Sequence, residues 1–168
     1  MERIDRLRQR LRGARTPTET LSPVCIAPIG IVASPVRDPR RRDWSAVRAS
    51  IEVLAARQAA LTGLDGFSHA IVVTWLHHVS AEERQIDAIH PAGDPALPRI
   101  GVLALRTHHR PNPIGVTVVR IERVEAARVI VRGLDVVDGT PVLDIKPYIA
   151  VYDSVPDARL PAWADERR

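Results

Sequence analysis

Two stretches of this 168-residue chain gather the side chains that could do chemistry. The first, Arg106 to Gly115, reads RTHHRPNPIG. Arg106 or Arg110 can grip a carboxylate through a planar fork, or alternatively a phosphate; either can also be a structural ion pair at a strand end. Asn112 stands between Pro111 and Pro113, whose rings fix φ and stiffen the loop. An amide at a rigid tip can read a base edge, or simply shape the turn. Gly115 suits a close backbone approach. The second stretch, Gly133 to Tyr148, reads GLDVVDGTPVLDIKPY. Its Asp135, Asp138 and Asp144, together with His78 and His108, are candidate proton acceptors. A histidine has the more suitable pKa, whereas an aspartate would need burial to raise its own. Lys146 and Tyr148 can reach a substrate. Tyr148 can equally cap the core, and Asp144 can pair with an arginine.

A metal centre is not expected from spacing. His77 and His78 are adjacent, so on a strand they point to opposite faces, and no H-x-H or H-E-x-x-H pattern anchors a ligand set. Cys25 is the only cysteine; it can form no internal disulfide and reads as a small buried apolar residue.

Short strands separated by turns must position these residues. Ile26, Ile29, Ile31 and Val32 form a β-rich run that Pro35 closes. Ala70 to His78 is a strongly apolar strand candidate. GVLALR at 101–106, VTVVRIERV, RVIVRGLDVV and PVLDIKPYIA continue the series, with Ala126-Ala127 and Asp138-Gly139 as turns. Helix is favoured by AARQAAL, residues 55–61, and a short one is possible at Ala81 to Ile89. Residues 80–98 are polar and proline-bearing and read as an insertion or lid. The proline-rich end argues against helix. No βαβα alternation or G-x-G-x-x-G turn is present, which disfavours a doubly wound nucleotide-binding sheet. A barrel or sandwich is expected.

Residues 1–15 carry Ile4, Leu7 and Leu11 at helical spacing among arginines, and Thr16 to Pro23 reads as a linker. The organisation expected is a basic extension at 1–22, a barrel domain at 23–160 and a tail at 161–168. No apolar run approaches the ~20 residues of a membrane span, and a cytoplasmic location is the default. The net charge is +4 with a single lysine, Lys146. Arginine suits planar contacts to phosphate, which gives modest support for a polyanionic partner. Arg40 to Arg42 beside Trp44 could hold phosphates and stack a base, or be a solvated charge run.

RTHHRPNPIG and GLDVVDGTPVLDIKPY, in this order and spacing, closely resemble the TsaA/TrmO family of transfer-RNA methyltransferases, the older YaeB family. LDGFSH at 64–69 and the Ser34 to Val36 SPV fit the same pattern, and the resemblance covers roughly residues 26–160. It implies a mainly β fold, a small barrel of the TsaA/TrmO type with a few short helices and an N-terminal helical extension. It also implies a homodimer that binds S-adenosylmethionine near the dimer interface. The reaction implied is methylation of N6 of threonylcarbamoyl-adenosine, beside the anticodon of threonine transfer RNA. Cofactor contacts would fall on His77, His78, Arg106, His108 and Val118, and on Leu134, Asp135, Val136 and Val137. Arg110, Asn112, Lys146 and Tyr148 would meet substrate. The chain departs from the family in having Thr107-His108 where Ser-Pro or another small pair is common, and longer members carry a further C-terminal domain.

Three rivals stand beside this reading: a metal hydrolase, a non-catalytic RNA- or S-adenosylmethionine-binding barrel, and a methyltransferase with a different RNA substrate.

Overall fold

Six strands close into an antiparallel barrel, in the spatial order Gly30–Ala33, Arg48–Val53, Arg128–Arg132, Ile114–Glu125, His69–Trp75 and Pro141–Pro147. The computed structural model describes residues 21–41 and 43–165. The barrel strands are β1 (Gly30–Ala33), β2 (Arg48–Val53), β3 (His69–Trp75), β6 (Ile114–Glu125), β7 (Arg128–Arg132) and β8 (Pro141–Pro147). A separate two-stranded ribbon, β4 (Ala88–Ile89) with β5 (Ile100–Gly101), lies between β3 and β6 in the chain. The expected helix at 1–15 and Arg42 lie outside the described residues.

Alternation explains the barrel. Along β3, Ala70, Val72 and Thr74 turn inward while Ile71, Val73 and Trp75 are half-buried on the other side. With aromatics at 4% of the sequence, the interior is filled by aliphatic side chains. Val32, Ile51, Val72, Val119, Val129, Val131, Leu134 and Val142 are each 0–1% exposed. β-branched residues pack well on a pleated, half-buried surface. Thr74 is the exception in this wall: its hydroxyl is buried with no hydrogen-bond partner. Thr74→Val keeps the shape and removes that group. We expect it to raise the unfolding free energy by roughly 1 kcal/mol, read as a higher urea midpoint; an unchanged or lower midpoint would sink the idea.

Close approach sets two positions. A Cβ on Gly30 would stand 2.4 Å from the Glu52 carbonyl oxygen and 3.0 Å from the Val53 Cα. A Cβ on Gly115 would stand 2.6 Å from the Thr74 hydroxyl.

The outer face of β2, β7 and β6 carries a lattice of opposite charges. Glu122 pairs with both Arg48 and Arg132 at 2.6 Å, and Glu52 pairs with Arg128 at 2.9 Å. The Arg132 hydrogen bond, foremost, holds the Glu122 carboxyl below its ordinary range. The adjoining face is apolar. Val73 lies opposite Val116 and Ile71 opposite Val118, and Val116 and Val118 are 45% and 51% exposed.

Several local expectations change. Strand β3 stops at Trp75, so His77 and His78 occupy a turn, where their rings meet edge to face at 4.1 Å instead of pointing apart. GVLALR is mostly a 3-10 turn, Val102–Ala104, with only Gly101 in β5. The alanine-rich run 55–61 is helical, as a 3-10 helix. Residues 81–89 form only a three-residue 3-10 turn at Glu83–Gln85 and then β4. The end holds two one-turn helices, α1 (Ala150–Asp153) and α2 (Ala162–Asp165), on either side of Pro156 and Pro161. Cys25 is exposed, not buried. The hairpin at Ala126 and the turn at Gly139 form as expected, with φ of 44° and 77°.

Candidate functional site

The two chemistry-bearing stretches meet in space. From the first come Arg106, Thr107, Arg110, Gly115 and Val116; from the second, Asp135 and Val136. With Leu76, Leu103 and Leu105 they line one cleft of about 320 Å³. The Leu76 amide donates to the Pro113 carbonyl at 2.8 Å, tying the end of β3 to the proline loop. The Ile114 amide donates to the Asn112 carbonyl at 2.7 Å, within the turn that the two prolines stiffen. On the other side Gly133 adopts φ +88° and donates to the Val47 carbonyl at 2.9 Å. That conformation suits glycine, and it turns the chain from β7 into Leu134 to Val137.

Arg106 donates to the Val116 carbonyl through one guanidinium nitrogen and is exposed. Arg110 donates to the Leu105 carbonyl at 2.8 Å and to the Val102 carbonyl at 3.4 Å, so it also holds the 102–105 turn in shape. Asp135 accepts the Thr117 hydroxyl at Oδ1. The cleft thus presents two arginines and one aspartate among aliphatic walls.

The remaining predicted residues divide. Leu134 is fully buried in the barrel core, and Val136 and Val137 are 5% and 7% exposed. The Leu134 side chain therefore belongs to packing and can offer a ligand only its backbone. Val118 stands on the exposed apolar face beyond the cleft lining. His77 and His78 follow Leu76 directly but do not line the cleft. His77 is open to solvent, yet partial desolvation, and then the neighbouring His78, hold its imidazole below the ordinary value. Asp138 is structural: its carboxylate accepts the Ser34 amide at 3.0 Å and faces Arg37 at 3.7 Å. This explains why SPV and DGT belong together, since the Asp138 amide also donates to the Val36 carbonyl. Asp144 pairs with Lys146 at 2.5 Å and borders a different groove beside Phe67 and Ile145. Tyr148 donates its amide to the His69 carbonyl at 3.0 Å. Asn112 is exposed at the loop tip. Of the proton acceptors named from sequence, Asp135 alone lines the cleft.

A second cavity, about 1110 Å³, shares Leu105, Arg106 and Thr107 with the first and is also lined by His90, Arg99, His108 and His109. Beside it stands Glu83, which the sequence reading did not single out. Its only signal was the Ser80-x-x-Glu83 pattern of a capping box. Desolvation, and then His109, hold the His108 imidazole below its ordinary value against the opposing pull of Glu83. The Ser80 amide, foremost, holds the Glu83 carboxyl below the usual range. In the 36–44 loop, Arg40 is closed on Asp38 at 3.0 Å and the Trp44 indole donates to the Arg41 carbonyl at 2.8 Å.

Residues 34–154 match the family model of the tRNA-methyltransferase O N-terminal domain. The Pseudomonas aeruginosa protein RcsF, described as an S-adenosylmethionine-dependent methyltransferase, is 39% identical over 80% of this chain and 61% of its own length. The human tRNA (adenine(37)-N6)-methyltransferase is 41% identical over 56% of this chain and 21% of its own. A crystal structure of TrmO superposes with a TM-score of 0.69 at 36% identity, covering 83% of this chain and 64% of that one. The chain thus spans less than two thirds of each of these proteins.

Proposed function

The chain belongs to the tRNA-methyltransferase O family, and on that premise we propose that it transfers a methyl group from S-adenosylmethionine to N6 of the adenine at position 37 of a transfer RNA. The observation that carries the cofactor assignment is the cleft between the two turns. S-adenosylmethionine ends in a carboxylate and an ammonium on an aliphatic stem, and Arg106, Asp135 and the leucines offer the complementary set. A few placed polar groups in an apolar cleft are the usual form of a small-molecule site.

When bound, S-adenosylmethionine supplies an electrophilic methyl group. The chain's own work is then positioning. Arg106 would hold the carboxylate through a charge-assisted contact. Thr117 fixes one oxygen of Asp135, leaving the other for the ammonium. Leu76 and Leu105 would lie along the aliphatic stem of the donor. Arg110, half-buried and braced on two carbonyls, holds the wall in place.

The finer substrate in this reading is threonylcarbamoyl-adenosine beside the anticodon of threonine transfer RNA, modified in the cytoplasm. Residues 23–160 serve as the barrel domain, with 1–22 as a basic extension and 161–168 as a tail. Two measurements test the pair of claims. Calorimetric titration with S-adenosylmethionine is expected to show saturable binding, and its absence would overturn the cofactor assignment. Nucleoside mass spectrometry of threonine transfer RNA from a deletion strain is expected to lack the methylated nucleoside. Unchanged methylation would remove the substrate and leave the cofactor claim standing.

The reading includes a homodimer across the β3–β6 face. Ile71, Val73, Val116 and Val118 form cross-strand neighbours there, and Val116 also lines the cleft. Exposed contiguous apolar patches mark association sites. Val118→Glu is expected to halve the mass seen by light scattering. A dimer that survives this charge would exclude the face.

A further inference from the structure

We propose that Glu83, His108 and His109 form a divalent-metal site, most simply for zinc, that pins the 80–85 segment to the loop forming one wall of the cofactor cleft. The three side chains come from two segments more than twenty residues apart in sequence, and one coordinating atom from each lies within 4.8 Å of the others. Glu83 Oε1 stands 3.7 Å from His108 Nε2 and 3.9 Å from His109 Nδ1. Those separations are too long for hydrogen bonds. They are close to the spacing of ligands around one ion, since tetrahedral zinc with bonds of ~2.1 Å keeps its ligands about 3.4 Å apart. The two Glu83 separations need to close by only a few tenths of an ångström, which side-chain rotation at an open site can supply.

Independent features point to the same atoms. His109 Nδ1 is buried and has no hydrogen-bond partner, although buried polar atoms are nearly always paired. Glu83 is oriented in advance. Its Oε2 accepts the Ser80 amide at 2.8 Å, and its own amide donates to the Ser80 hydroxyl at 3.2 Å. The reciprocal cap leaves Oε1 turned to the two rings, which is how outer partners usually fix a metal-binding carboxylate. The His109 amide donates to the Thr107 hydroxyl at 3.3 Å, fixing the loop between the two rings and Arg106. Two imidazoles and one carboxylate make an open three-ligand set that leaves a fourth position for water or substrate. The histidine spacing along the chain concealed this set because its third member arrives through folding.

The test uses the full chain, free of tags and treated with a chelator. Titration with zinc chloride is expected to show one ion per chain, and cobalt substitution to give visible d–d absorption of a four- or five-coordinate site. Glu83→Gln and His108→Ala, both at solvent-accessible side chains, are each expected to weaken zinc by more than ~10-fold. His77→Ala should leave the affinity unchanged. Zinc should also raise the melting temperature of the unmodified chain and not that of the two variants. Absence of zinc binding in the unmodified chain would overturn the proposal. So would affinity within twofold of it in both Glu83→Gln and His108→Ala.

Discussion

Arg106→Ala is expected to bind S-adenosylmethionine about ten- to a hundredfold more weakly while unfolding at the same urea concentration as the unmodified chain. A hydrogen bond to a charged group contributes roughly 1.5–3 kcal/mol, and every 1.4 kcal/mol is about tenfold in affinity. Arg106 is exposed and braces only the Val116 carbonyl, so its loss should fall on binding and not on the fold. Lysine at the same position keeps the charge but not the planar fork and should recover part of the affinity. Calorimetry on the three proteins reads both effects. Equal affinity in Arg106→Ala would move the donor's carboxylate elsewhere, with Arg110 the next cation in the cleft. Arg110→Ala is the contrasting case, since it removes the 2.8 Å donor to the Leu105 carbonyl and a weaker one to Val102 and should lower stability as well.

Gly30→Ala should be the most damaging single methyl group in the barrel. Gly30 pairs with Val53 on one side and Val142 on the other, so it lies where β1 joins β2 to β8 and closes the ring. The added Cβ would meet a backbone oxygen at 2.4 Å, and backbone cannot swing aside as a side chain can. Overpacking of this kind costs about 1–3 kcal/mol and occasionally more, against a total of roughly 5–15 kcal/mol for a domain. The expected outcome is a large fall in the urea midpoint, or loss of soluble protein. Gly115→Ala provides a graded comparison. Its obstacle is the Thr74 hydroxyl, so pairing it with Thr74→Ala should relieve most of the clash. No such relief is available to Gly30. A Gly30→Ala protein that melts like the unmodified chain would show that β1 can shift outward and that closure there is loose.

The barrel was legible because alternation of apolar residues is a local signal, visible in HAIVVTW and in VIV at 129–131 before any contact is known. The meeting of the two turns was legible through their rigid residues, prolines on one side and Gly133 on the other. What escaped was whatever depends on where a strand stops. His77 and His78 continue the apolar run in sequence, but the Pro113 carbonyl takes the Leu76 amide and the chain turns. Leu134 looks like its neighbour Asp135 on paper; one points into the core and the other into the cleft. Periodicity cannot distinguish them at the irregular step after Gly133. Asp138 and Asp144 drew notice as acidic groups, yet one closes a turn and the other pairs with the lysine two residues on. Glu83 was passed over because its partners come from a distant loop.

The charge lattice over β2, β7 and β6 bears on how this molecule would meet a polyanion. A formal charge of +4 suggests a surface that attracts phosphate everywhere, but Arg48, Arg128 and Arg132 already face carboxylates. Recruiting any of them to RNA means separating an existing pair, so that side is a poor track for a sugar–phosphate chain. The slope of log affinity against log salt, which counts the ions a polyelectrolyte sheds, should therefore be shallower than the number of arginines would suggest. Contact would be steered toward the side of the barrel where Arg99 and Arg106, which form no ion pair among the described residues, line a common cavity.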